Sequence, residues 1–332
     1  MQKLSGKSIL FIGPQFFGYE HDITSELLSE GAEVDFLPDR PFTSPLMKAV
    51  TRYQKNLITP FANKFILDSV ERFGRKNYDI IFVLQGEGLS LNTLSKLRGL
   101  FPNAQFVWYL WDSLRNKKSL IPNLSAFDRC YSFDVKDSKF YGMNFRPLYF
   151  SPGFEYKPIN NPKYQLSFIG TAHSDRFPII SNLVKALPKE TNCFWYLYLQ
   201  ATWVFWFQKL TNPSFRYASV SDFNFDPMPK KEVQDVFFDS LAILDIEHPN
   251  QTGLTMRTFE AMGARKKLVT TNALIKETDF YNPNNILVIE RGRFPKVPEN
   301  FFNDPYIAHA DSIQLKYSIK GWLQDVVYST SI

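Results

Sequence analysis

Residues 165–170 read Gln165-Leu-Ser-Phe-Ile-Gly170, and they repeat the form of residues 8–13, Ser8-Ile-Leu-Phe-Ile-Gly13. Each is a short apolar run that stops at a glycine and opens a loop. Such a run reads as a strand buried on both faces, as in a parallel sheet covered by helices. Around the first run, 32–37, 79–84, 105–110 and 129–133 read as further strands, and 21–30 and 91–100 as helices. Around the second, 193–199, 241–246, 267–271 and 286–289 read as strands. Helical spacing covers 176–187, 230–240 and 255–262, and 312–327 reads as one long helix through Leu315, Ile319, Trp322, Leu323 and Val326. The fold class is therefore α/β, with two Rossmann-like domains facing each other across a cleft. Their expected bounds are 1–150 and 151–332, joined by the proline-rich segment 143–163. Ligands of such sheets bind beyond the carboxyl ends of the strands.

Composition narrows the function classes. The chain has 332 residues, enough for two domains with real cores. Hydrophobic residues make up 44% and charged residues 21%, which excludes a disordered chain. The 38 Lys and Arg against 33 Asp and Glu leave +5, too little charge for a nucleic-acid partner. Cys130 and Cys193 make neither a disulfide framework nor a zinc site, and read as reduced thiols of a cytoplasmic protein. No apolar run reaches the ~18 residues of a membrane span. The aromatic stretch Trp195, Tyr196, Tyr198, Trp203, Phe205 and Trp206 reads first as a strand followed by a core-facing helix. The other reading is a peripheral contact with the inner face of the membrane.

The chemistry concentrates in 239–272. A strand ends at Ile246, a polar loop with Gly253 follows, and a helix starts near Thr255. A helix N-terminus offers unpaired backbone N–H groups and a positive dipole end to a diphosphate. Gly253 lets the main chain approach those oxygens, and Arg257 supplies a cation. Glu260 lies where a carboxylate can bridge two ribose hydroxyls. The run Gln251, Gly253, Leu254, Thr255, Met256, Arg257, Glu260, Ala261, Lys266 to Asn272 resembles the donor-nucleotide region of GT-B glycosyltransferases of bacterial lipopolysaccharide and capsule synthesis. Tyr317 to Leu323 is similar to the end of the same group.

That resemblance implies a nucleotide-sugar donor, a glycan or lipid-linked glycan acceptor, no cofactor and no metal. No Asp-x-Asp triplet is present to hold one. It also implies that the second domain binds the nucleotide, the first binds the acceptor, and the last helix crosses back onto the first domain. One departure stands out: many retaining members carry a glutamate eight positions before the ribose ligand, and here that position is Thr252. A nucleotide-sugar 2-epimerase and a non-catalytic sugar-binding module share the architecture and remain as alternatives.

Other strand-end residues complete the expected site. Gly170, His173 and Arg176 follow the first strand of the second domain and face phosphate or sugar. Gly13, Gln15, Phe17 and Gly18 form an acceptor-side loop that is not G-x-G-x-x-G, which weakens a dinucleotide reading. Glu87, Asp112 and His21 are the candidates for the base that takes the acceptor proton.

Overall fold

A computed structural model describes residues 4–40, 55–75, 77–159, 161–298 and 300–328. The chain divides into two compact units. One runs to Leu148 and takes back the chain from Ile319 on; the other is Tyr149–Ser318.

In the first unit six strands form one parallel sheet: β1 (Ser8–Gly13), β2 (Glu33–Pro38), β3 (Ile80–Leu84), β4 (Gln105–Leu110), β5 (Arg129–Ser132) and β6 (Asn144–Phe145), in the order β2-β1-β3-β4-β5-β6. Four helices accompany it: α1 (Tyr19–Ser29), α2 (Lys55–Phe73), α3 (Leu91–Leu100) and α4 (Val135–Tyr141). β3 is buried along its whole length, and so is β4 after Gln105. Their unbroken apolar runs are what a sheet covered on both faces requires. Ser90 starts α3 by accepting a hydrogen bond from the Thr93 N–H, and Asp134 does the same for α4 with two N–H groups.

In the second unit five parallel strands, β7 (Tyr164–Thr171), β8 (Cys193–Tyr198), β9 (Ser240–Asp245), β10 (Lys267–Thr270) and β11 (Ile286–Val288), lie in the order β11-β10-β9-β7-β8. The helices are α5 (Arg176–Ala186), α6 (Thr202–Thr211), α7 (Lys230–Phe238), α8 (Met256–Gly263) and α9 (Asp311–Lys316). In both sheets the chain first adds a strand on one side of the opening strand and then crosses to the other. The switch points therefore fall between β1 and β3 and between β7 and β9.

The C-terminal stretch corrects the expectation of one long helix. Leu315 is half exposed, α9 stops at Lys316, and the Tyr317 ring packs on Phe259 and Phe280 inside the second unit. The next helix, α10 (Ile319–Leu323), belongs to the first unit, so the second domain ends at Ser318 rather than at 332. Trp322 is fully buried there between Phe82 of β3 and Tyr109 of β4, with ring centroids 6.0 and 4.7 Å away. Arg146–Asp325 at 2.7 Å and Lys320–Glu30 at 2.6 Å fasten the same segment. A Trp322→Ala substitution should destabilise the first unit by about 3–5 kcal/mol, the usual loss for a buried Trp, measured by denaturant unfolding.

Candidate active site

The second unit's switch point carries the densest polar cluster. Asp245 ends β9 and is 3% exposed. One of its oxygens accepts hydrogen bonds from both Thr255, at 2.8 Å, and Thr258, at 2.7 Å. Thr255 is the N-cap of α8, yet its hydroxyl makes no cap. Its hydroxyl turns to Asp245 instead, while the Thr255 carbonyl takes the Thr258 N–H at 3.1 Å, so the N-cap side chain covers none of the first-turn N–H groups. Asn272 fixes the preceding loop, donating to the carbonyls of Thr252 and Gly253 at 3.2 and 3.4 Å.

Glu260 is buried on α8. Its carboxylate accepts from the Ser151 hydroxyl at 3.4 Å and from Arg257 at 3.2 Å. Arg257 also donates to the Ile169 carbonyl on β7 and lies 4.9 Å from the Phe237 ring centroid. Arg176 sits across the strand ends. It donates to the Thr171 carbonyl and twice to the Ile246 carbonyl, so it ties β7 to the end of β9. Burial pushes its pKa down to about 10, which leaves it a cation at neutral pH. Gly170 makes room for it: a Cβ there would stand 3.2 Å from the guanidinium. Lys266 and Lys267 point elsewhere, onto the carbonyls of Phe238 and Phe301.

A third cation, absent from the sequence reading, completes the cluster. Arg291 grips Asp175 with both oxygens, at 2.6 and 2.5 Å, and reaches Glu247 and its carbonyl. Glu247 accepts in turn from Thr271. Arg291 follows β11, and the end of that strand was the one signal that could have found it. His173 lies in the loop after β7, with its Nδ1 3.0 Å from the Ser174 hydroxyl and its ring 5.5 Å from that of His248. Burial first, then the charges of Arg176, His248 and Arg291, push its pKa down to about 3. It is neutral at neutral pH.

The first unit's switch point carries the three base candidates unequally. Lys117 bridges Glu87, at 2.6 Å, and Asp112, at 3.7 Å, while Arg40 reaches Glu87 at 3.4 Å. The Asn116 amide donates to Asp112. His21 instead projects into solvent from α1, 3.6 Å from Glu20. Asp39, just past β2 and missed in the sequence, is 1% exposed and accepts the Glu87 N–H at 2.9 Å. Burial raises its pKa despite the neighbouring Arg40. Gly88 is required beside it, because a Cβ would lie 1.9 Å from the Asp39 carbonyl oxygen. Gln85, at φ 59°, accepts from the N–H groups of Trp111 and Asp112, and its own buried Nε2 has no partner among the described residues.

Above these groups Phe16, Tyr19 and Trp111 meet ring to ring, and Phe17 packs edge-on against Phe16 at 4.5 Å. Phe17 and Gly18 take positive φ angles of 53° and 76°, which turn the loop after Gly13 outward and leave Gln15, Phe16 and Phe17 exposed.

No protein-family profile matches the chain, and no curated protein matches it in sequence. Its likeness is to solved structures. HepE of Anabaena, solved with UDP and glucose, superposes at a TM-score of 0.60 over 96% of this chain and 98% of its own, at 11% identity. AviGT4, a glycosyltransferase involved in avilamycin A biosynthesis, gives 0.52 over 97% and 96%, at 12% identity. The catalytic domain of starch synthase IV from Arabidopsis thaliana, solved with ADP and acarbose, gives 0.53 over 99% and 96%, at 10% identity. The chain thus has the GT-B fold of these glycosyltransferases.

The environment of His173 has a consequence for stability. The unfolded chain takes up this proton near pH 6.5, whereas the folded chain resists it down to about 3. Stability from this group is complete above pH 6.5 and falls as the pH drops below it, by at most about 1.4 kcal/mol per pH unit. His173→Gln should flatten the acid side of a melting-temperature profile between pH 7 and pH 5, relative to the unsubstituted chain.

Proposed function

We propose that the chain is a glycosyltransferase that moves a sugar from a nucleoside-diphosphate sugar to a growing surface glycan of the O-antigen, capsule or lipopolysaccharide kind. The second unit holds the donor and the first holds the acceptor. The observation that carries the reading is the displaced cap of α8: Asp245 removes the Thr255 hydroxyl from the helix end while Arg257 and Glu260 stand on the same helix. A helix end prepared in this way suits a diphosphate. HepE, similar in fold, is solved with UDP and with UDP-glucose, which favours a uridine nucleotide.

The chemistry follows from those roles. The diphosphate gains negative charge as the bond to the sugar breaks. The α8 N–H groups and Arg257 stabilise that charge in place, with Arg291 and Arg176 adding positive potential at the strand ends. Glu260 accepts from the ribose hydroxyls, and Ser151 and Arg257 hold its carboxylate for them. The three arginines and the helix end supply the positive charge that a metal ion supplies in other transferases, which favours metal-independent transfer. In the first unit the Glu87–Lys117–Asp112 group provides the carboxylate that takes the acceptor hydroxyl proton, and Phe16, Phe17 and Trp111 offer ring faces to the acceptor's sugars.

Calorimetric titration with UDP tests the assignment. The unsubstituted chain should bind UDP equally with magnesium or with a chelator. Glu260→Ala should lose tenfold or more in affinity, about 1.4 kcal/mol, when titrated well below its own melting temperature, which the loss of the buried pair with Arg257 lowers. Normal UDP affinity in that variant contradicts the ribose role. Slow release of UDP from UDP-glucose without acceptor separates a transferase from a binding module, and an epimerised nucleotide sugar would point to the epimerase instead.

A further inference from the structure

Helix α6 is turned inside out. Trp203, Trp206, Phe207 and Leu210 recur at i, i+3, i+4 and i+7, the spacing of a single apolar stripe within an arc of about 100°. On a surface helix that stripe ordinarily faces the core. Here it faces solvent: the four side chains are 71, 54, 56 and 86% exposed, and Tyr217, just beyond the helix, is 86% exposed. Phe205 alone is fully buried from this helix; it packs on Phe223, and Lys209 donates to the Ala218 carbonyl. The core-facing helix expected from the sequence is therefore corrected. Four large apolar side chains on one helix face exceed the scattered exposure that needs no explanation, and the Lys209–Ala218 hydrogen bond brings the segment of Tyr217 to the same helix.

The surrounding charge says what covers them. From Thr191 to Ser221 the chain carries no Asp or Glu, and its two charges are Lys209 and Arg216. A second copy meeting this segment through a twofold axis would bring two sets of cations together with no carboxylate from it between them. An anionic lipid surface neutralises both. Two Trp and a Tyr are also the residues that settle at the boundary of headgroups and hydrocarbon. Among the described residues no helix is long and apolar enough to cross a membrane. A helix with one apolar face and basic neighbours lies in the interface instead.

We propose that α6 and Tyr217 form a docking surface for an anionic lipid bilayer, with the apolar stripe inserted at headgroup depth. The inference does not depend on the donor assignment.

The full chain should be spun with vesicles of phosphatidylcholine alone and of phosphatidylcholine mixed with phosphatidylglycerol. It should sediment with the anionic vesicles, with a blue shift of tryptophan emission, and largely stay in solution with the neutral ones. The double variant Trp203→Ser, Trp206→Ser should lose roughly tenfold or more in partitioning. Its UDP affinity should match that of the unsubstituted chain, and its melting temperature should fall only slightly, since Trp203 is largely exposed and the half-exposed Trp206 meets the core only through the Phe205 ring, 5.2 Å away. Equal partitioning of the double variant overturns the proposal, as does an unsubstituted chain that stays in solution with anionic vesicles. A dimer in sedimentation velocity that the double variant abolishes assigns the patch to a second copy and overturns it as well.

Discussion

The second unit depends on one buried carboxylate. Asp245 is 3% exposed, and a charge so placed is costly unless hydrogen bonds compensate it. Thr255 and Thr258 compensate it from the first turn of α8, and hydrogen bonds to a charged group contribute about 1.5–3 kcal/mol each. Three consequences follow. The end of β9 is locked to the start of α8. Thr255 is taken away from capping. Arg257 and Glu260, one helical step along, are set facing the Ile169 carbonyl and the Ser151 hydroxyl. A structural bond thereby leaves the start of α8 without a hydrogen bond from its N-cap side chain.

The first unit uses the same device with different partners. Asp39, buried at the end of β2, holds the Glu87 N–H, and Gly88 lets the main chain pass close to the Asp39 carbonyl. Gln85, in a left-handed conformation, holds the N–H groups of Trp111 and Asp112. Its Nε2, without a partner among the described residues, is a buried donor at a strand end, where a ligand oxygen or a water can satisfy it. In both units the polar groups gather where the order of strands reverses, because the helices there leave on opposite faces and open a crevice.

Much of this was legible in the sequence, for a physical reason. Strands covered on both faces must be apolar throughout, so Ile80–Leu84 and Phe106–Leu110 announce themselves. The α8 segment was legible because glycine, threonine, arginine and glutamate stand at fixed offsets. Helix α6 misled, because periodicity reports a stripe and not which way it faces. The tail misled for a related reason: Leu315 continues the spacing of Ile319 and Trp322, but a change of partner at Ser318 breaks the helix. Arg291 and Asp39 stayed hidden because their partners are distant in sequence, and Asp245 because it ends an apolar strand and its threonine partners lie beyond the following loop. Arg291 meets Asp175 across 116 positions. Cys130 and Cys193 were legible as inert: burial pushes their thiols up to about 12 and about 11.

The most direct measurement is a crystal structure of the chain with UDP. The expected density places the diphosphate against the N–H groups at the start of α8, beside Arg257, and the ribose hydroxyls on Glu260. UDP seated anywhere else, with Thr255 and Glu260 untouched, would contradict the claim that Asp245 prepares this helix end for a nucleotide.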